Sequence, residues 1–294
     1  MLPASFYRPH CRIVALGLLC GWLCACSGSG VGLDGNGQPL SSSSSGGPVP
    51  LAATFDAIQA NVFTPICSVC HIGATAPEGL MLDAAHSYNL LVGVPSTEVP
   101  TILRVAPGDP TNSYIIQKLE GHAAVGGQMP LGETPLPATT IAFIAQWITD
   151  GAPAGGSATA MAMATGFRVA SVAPENGDVL AVAPAQMVVG FTRELDATRA
   201  DAAAVRLERI DGAGEQASST TVAIEPSVPA ANPRALLLTP RAPLAPLAAG
   251  QYRIVLSGQP GNALGAIDGE LVTGAPTDAN GDRVISYFTV AATP

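Results

Sequence analysis

Phe63-Thr64-Pro65-Ile66-Cys67-Ser68-Val69-Cys70-His71 is the stretch on which the reading of this chain turns. Two thiols three residues apart lie on one side of a helical turn, and the imidazole of His71 follows at once. This Cys-x-x-Cys-His order is the sequence signal for c-type haem attachment. It predicts one covalent haem c, held by Cys67 and Cys70, with His71 as the proximal iron ligand. Three other chemistries use the same residues. A thioredoxin-like redox pair wants a strand before the motif, and none is legible here. A zinc site drawing on Cys67, Cys70, His86 and His122 has histidine spacings that fit no common ribbon or finger. A structural disulfide suits an exported chain.

Working outward, a six-coordinate iron needs a second axial ligand. Met129 is the candidate, in Gly126-Gly127-Gln128-Met129-Pro130, where glycines let the backbone come close and Pro130 stiffens the loop. The competing reading of a methionine is core packing, and His86 and His122 are the bis-histidine alternatives. Residues 52–150 hold eight acids but only two bases, Arg104 and Lys118. Those two are therefore the available cations for the haem propionates.

The same region is patterned for helices. Phe55, Ile58 and Val62 fall at helical spacing, and Pro65 is expected to end that helix. Asp109-Pro110 predicts a helix start, running through Tyr114 to Leu119 and stopping at Gly121. Ile141, Ile144 and Ile148 place a last helix over about 137–149.

Several separated segments resemble a family of small bacterial class I cytochrome c domains. They are the Phe63–His71 stretch, Gly79-Leu80-Met81-Leu82-Asp83, Arg104-Val105-Ala106-Pro107-Gly108-Asp109-Pro110, Gln128-Met129-Pro130 and Ile144-Ala145-Gln146-Trp147-Ile148. The resemblance covers residues 52–153. It implies an all-α haem domain with Met129 as the distal ligand. Gln128 stands where that family often has arginine.

Residues 1–26 contain no acid; Arg8 and Arg12 precede an apolar run from Ile13 to Leu23. That run has the length of a signal-peptide core and is too short to span a bilayer. Leu23-Cys24-Ala25-Cys26 resembles a bacterial lipobox, which implies lipidation at Cys26, and Ser27 implies sorting to an outer membrane. Residues 27–51 form a Gly/Ser/Pro tether.

The chain of 294 residues has 13 Lys+Arg and 22 Asp+Glu, a net charge of −9. Loss of the leader removes two bases and no acid, leaving eleven bases against 22 acids. Such a balance excludes a general nucleic-acid binder. It favours a basic protein partner.

Residues 154–166 read as a second linker. From 167 to 294, eight short β-rich runs alternate with Pro, Gly, Asn and Asp clusters, predicting an antiparallel sandwich. Phe167-Arg168-Val169-Ala170, Leu247–Ile254 and Ser286–Val290 resemble a bacterial Ig-like domain. Asp278-Ala279-Asn280-Gly281-Asp282 has half the pattern of a calcium loop but reads better as a β-turn.

Taken together, these residues predict a multidomain chain: an all-α cytochrome c domain followed by an all-β Ig-like sandwich. The expected function is one-electron transfer with a redox partner protein in the cell envelope or periplasm, on a lipid anchor, without enzymatic turnover. The alternatives are a haem-based sensor or ligand-binding lipoprotein, and an adhesion or docking protein acting through the sandwich.

Overall fold

The computed structural model describes residues 53–155, 166–211, 218–241, 246–259, 261–274, 277–278 and 281–292. Leu51 to Pro294 form one compact unit. The leader, the lipobox with Cys26, and most of the tether and second linker lie outside the described residues.

The first part begins with α1 (Phe55–Ile58), capped by the Thr54 hydroxyl, which accepts from the Ala57 amide. Pro65 does not stop the chain here. The helix runs on as a π-helical segment, Gln59–Cys67, with Pro65 inside it. Proline removes one amide donor, and the wider winding absorbs the loss: the Ser68 amide reaches back five residues to the Phe63 carbonyl at 2.8 Å. Three α-helices follow: α2 (Ser87–Leu91), α3 (Tyr114–Glu120) and α4 (Ala138–Thr149). The α3 helix starts later than Asp109-Pro110 predicts. Asp109 instead closes a local turn by accepting from Asn112, and Ser113 sits at the N-cap. Gly121, at a φ of 79°, ends α3 in the left-handed region that suits glycine. Phe55, Ile58, Phe63, Leu91, Ile144, Trp147 and Ile148 form this part's core.

The second part is a sandwich of two sheets. Strands β1 (Val169–Ala173), β3 (Met187–Phe191), β7 (Ala235–Pro240) and β6 (Ile224–Ser227) form one, in that order. Strands β2 (Asp178–Leu180), β9 (Arg283–Val290), β8 (Gly250–Leu256), β4 (Val205–Asp211) and β5 (Ser218–Val222) form the other. All pairings are antiparallel except β2 with β9. Between the sheets lie Phe167, Phe191, Leu207, Leu236, Ile254 and Phe288. Each such side chain, fully buried, contributes about 1.5–3 kcal/mol. Tyr252 stacks on Phe288 and donates its hydroxyl to the Ala248 carbonyl at 2.7 Å, fixing the corner before β8.

Strand β3 is buried along its whole length. Met187, Val189 and Phe191 face the sandwich core, while Val188 turns to the opposite face. There it meets Leu237 and Ala235 of β7, and Ala76, Met81, Leu90 and Val94 of the first part. Strands β3 and β7 are thus covered on both faces.

This architecture corrects the expected fold class. Among the described residues nine strands dominate, whereas the four α-helices have 4, 5, 7 and 12 residues. The first part is mostly turns, bridges and short helices rather than an all-α domain. Prolines and glycines spread from Pro95 to Pro137 leave few uninterrupted helical runs there.

Candidate metal and thiol site

Cys67 ends the π-helical segment, and the chain then turns tightly. The amides of Cys70 and His71 both donate to the Cys67 carbonyl, at 3.2 and 2.9 Å. Both cysteines are free. Cys67 is half-buried against the first part's core, and burial pushes its thiol pKa up to about 11. Cys70 is exposed.

His71 is held from outside the turn. Its Nδ1 lies 2.9 Å from the Leu80 carbonyl, and the Leu82 amide donates to the His71 carbonyl at 2.8 Å. A carbonyl only accepts, so Nδ1 carries the proton and the lone pair sits on Nε2. Burial lowers the imidazole's pKa; the Leu80 bond opposes this, and Arg104 and Lys118 reinforce it. The balance favours the neutral imidazole, whose Nε2 lone pair is left outside the Leu80 bond.

Met129 is half-buried and packs on the same apolar cluster as Cys67. Its amide donates to the Lys118 carbonyl at 2.9 Å. The two cations are occupied elsewhere. Arg104, 7% exposed, donates to the carbonyls of Leu90 at 3.0 Å and Glu78 at 2.8 Å. Burial drops its pKa to about 10, with Glu78 pulling the other way. Lys118 pairs with Glu98 at 2.7 Å, bonds the Val125 carbonyl and sits over the Tyr114 ring.

The other two histidines among the described residues are engaged apart from the turn. His86 is buried where the two parts meet, with Nδ1 at 2.9 Å from Asp83 and Nε2 at 3.2 Å from Glu175. His122 is exposed beside Glu120. Among the described residues, no three His, Cys, Asp or Glu side chains are already arranged around one ion. Asp278 and Asp282 face each other across a turn, and Asp282 accepts from the Gly258 amide and pairs with Arg206.

Sequence reading missed the Asp83–His86–Glu175 bridge and the second buried face of β3. The only available signal was the unbroken apolar run at Met187–Phe191, which marks a strand buried on both sides.

No protein-family model matches the chain. No curated protein matches it. Among solved structures it is similar to PcoC, a methionine-rich copper resistance protein from Escherichia coli, at 22% identity and a TM-score of 0.30. That match covers 42% of this chain and 97% of PcoC. CopC from Methylosinus trichosporium OB3b matches at 19% identity and a TM-score of 0.29, over 43% of this chain and 94% of CopC. The N-terminal part of the bacterial S-layer protein SbsC matches at 14% identity and 0.29, over 53% and 30%. Scores this low carry no inference from those proteins' ligands to this chain.

The resemblance to cytochrome c and Ig-like families finds no counterpart in these comparisons. The expectation of a cytochrome c domain is corrected accordingly, and with it haem c as cofactor and one-electron transfer as function. In the structure Met129 packs in an apolar cluster, while Arg104 and Lys118 are satisfied by protein groups.

Proposed function

We propose that this chain is an exported binding protein, anchored in the cell envelope through lipid on Cys26, that takes up one soft metal ion. Monovalent copper is the ion. Cys67, Cys70 and the Nε2 of His71 would hold it, with the Met129 thioether as a further donor. Thiolate and thioether donors select soft ions. A structural zinc site wants four ligands in place, whereas monovalent copper accepts two or three. The ion supplies no turnover chemistry here, and the reading is of a carrier, not an enzyme.

The sandwich does not offer such a site. Residues 166–294 contain no His and no Cys, and their one methionine, Met187, is fully buried. The soft donors cluster in the first part.

The observation that carries this reading is the bond from His71 Nδ1 to the Leu80 carbonyl, beside two free thiols. A metal-binding histidine commonly has its other nitrogen fixed in this way. Binding would displace protons, above all from Cys67 with its pKa near 11. Affinity should therefore rise with pH.

The test is an anaerobic titration of the mature protein with monovalent copper against bathocuproine disulfonate. One equivalent is expected to be retained. Cys67→Ser and Cys70→Ser should each abolish retention, and His71→Gln should weaken it. No retained copper, or retention indifferent to both cysteines, would overturn the proposal. So would thiols at 67 and 70 found covalently consumed in protein isolated from its native envelope.

A further inference from the structure

His86 stands at the N-cap of α2, 8% exposed, with a carboxylate at each ring nitrogen. Its Nδ1 lies 2.9 and 3.0 Å from the two oxygens of Asp83, and its Nε2 lies 3.2 Å from Glu175. Ionised carboxylates only accept hydrogen bonds, so both bonds form together only when both nitrogens carry a proton. That is the geometry of an imidazolium. A neutral ring has one N–H, and its other nitrogen would turn a lone pair towards a carboxylate.

The two carboxylates are not equivalent. Asp83 belongs to the same turn as His86 and is fixed there by accepting from the Ala85 amide at 3.0 Å. Its side chain is 25% exposed, against 44% for Glu175. Glu175 belongs to the sandwich, on the turn between β1 and β2. The backbone of that turn is tied to β9: the Ser286 hydroxyl donates to the Pro174 carbonyl at 2.8 Å, and the Tyr287 amide donates to the Asn176 side chain at 3.0 Å. A ring with one proton therefore keeps it on Nδ1, against Asp83, and loses the bond that crosses between the parts. The other residues lining the cleft over His86, namely Ala85, residues 169–172 and Asn176, carry no charge. Asp178 accepts from the Glu175 amide, and Arg234 acts on the hydroxyl of Tyr88, two residues along α2.

We infer that His86 is a pH-sensitive latch between the two parts: as an imidazolium it ties Asp83 to Glu175, and on losing a proton it keeps Asp83 and releases Glu175. None of these groups belongs to the proposed copper ligands. The latch contributes stability while the imidazolium persists, and that contribution is lost as pH rises and the ring deprotonates. The apolar contact of Leu90 and Val94 with Val188 and Leu237 carries no charge and joins the parts at either pH.

The test is urea unfolding of the full mature chain, followed by fluorescence of the buried Trp147. Wild type, His86→Gln, Glu175→Gln and the double variant are compared at about pH 5.5 and about pH 8.5, on either side of the ordinary imidazole range. At the lower pH the two substitutions should be non-additive, with a coupling of about 3–5-fold in the unfolding constant. At the higher pH they should add. A coupling absent at both pH values, or as large at the higher one, would overturn the inference. Glu175→Gln alone, on a half-exposed side chain, supplies a second measurement: its cost should shrink as pH rises, and a cost that is nil or independent of pH would count against the latch.

Discussion

Glu208 sits on β4 with its side chain only 9% exposed, between the guanidinium groups of Arg253 at 2.7 Å and Arg206 at 3.2 Å. Burial alone would raise its pKa. Hydrogen bonds from Arg253 and Arg206 outweigh that and hold it below the ordinary carboxylate value. A depressed carboxylate contributes stability that is fully present above the unfolded pKa, about 4.3 for glutamate, and is lost as pH falls through the folded one. Glu208→Gln should therefore destabilise the protein at neutral pH. The gap from wild type should close in acid, as measured by urea denaturation at several pH values. A gap independent of pH would show that the carboxylate's charge is not what matters. His71 shifts in the same direction from a different cause, since burial opposes the shift at Glu208 and produces it at His71. Its shift lies downwards, chiefly through burial, so its contribution to binding should persist to pH values below the usual imidazole midpoint. The adjacency of Cys67, Cys70 and His71 was legible because it is local. The Leu80 carbonyl that orients His71 was not, since a backbone acceptor nine residues away leaves no mark in residue type.

At the scale of elements, legibility followed the reach of the pattern. The α4 helix could be read from Ile141, Ile144 and Ile148, because one helical face meets one core. Strands such as Met187–Phe191 were legible from apolar, β-branched runs between turn residues. The π-helical passage through Pro65 was not, because proline's usual effect is to stop a helix and only tertiary packing decides otherwise. The start of α3 shifted for a similar reason: Asp109 spends its side chain on a turn. Gly190 in β3 marks where α2 approaches the sheet. A Cβ there would collide with the Asn89 and Ser171 side chains, which bond each other at 3.3 Å. Gly190→Ala should cost about 1–3 kcal/mol through overpacking. Thermal unfolding measures it, and an unchanged midpoint would show that α2 can move away freely.

For the molecule as a whole, the second face of β3 and β7 matters most. Met81, Leu90 and Val94 pack on Val188 and Leu237, and His86 bridges Asp83 to Glu175 across the same junction. The sequence reads as two modules and a linker, because each part carries its own periodicity and its own core. The junction between them is made of contacts distant in sequence, which no local pattern records. The shared cluster predicts that the parts unfold together. Trp147, fully buried in the first part, is the one tryptophan beyond the leader, so its fluorescence reports on that part. Leu237→Ala, made in the sandwich, should lower the Trp147 transition by about 2–5 kcal/mol. A Trp147 transition left in place would mean that the two parts are independent.

The most direct test of the central claim is X-ray absorption at the copper edge on the mature protein loaded anaerobically with one equivalent of monovalent copper. The account predicts a sulfur-dominated coordination shell with an imidazole contribution, the imidazole lost in His71→Gln and the thiolate sulfur lost in the double variant Cys67→Ser with Cys70→Ser, leaving at most the Met129 thioether. A shell of oxygen and nitrogen alone, or one unchanged by those substitutions, would contradict it.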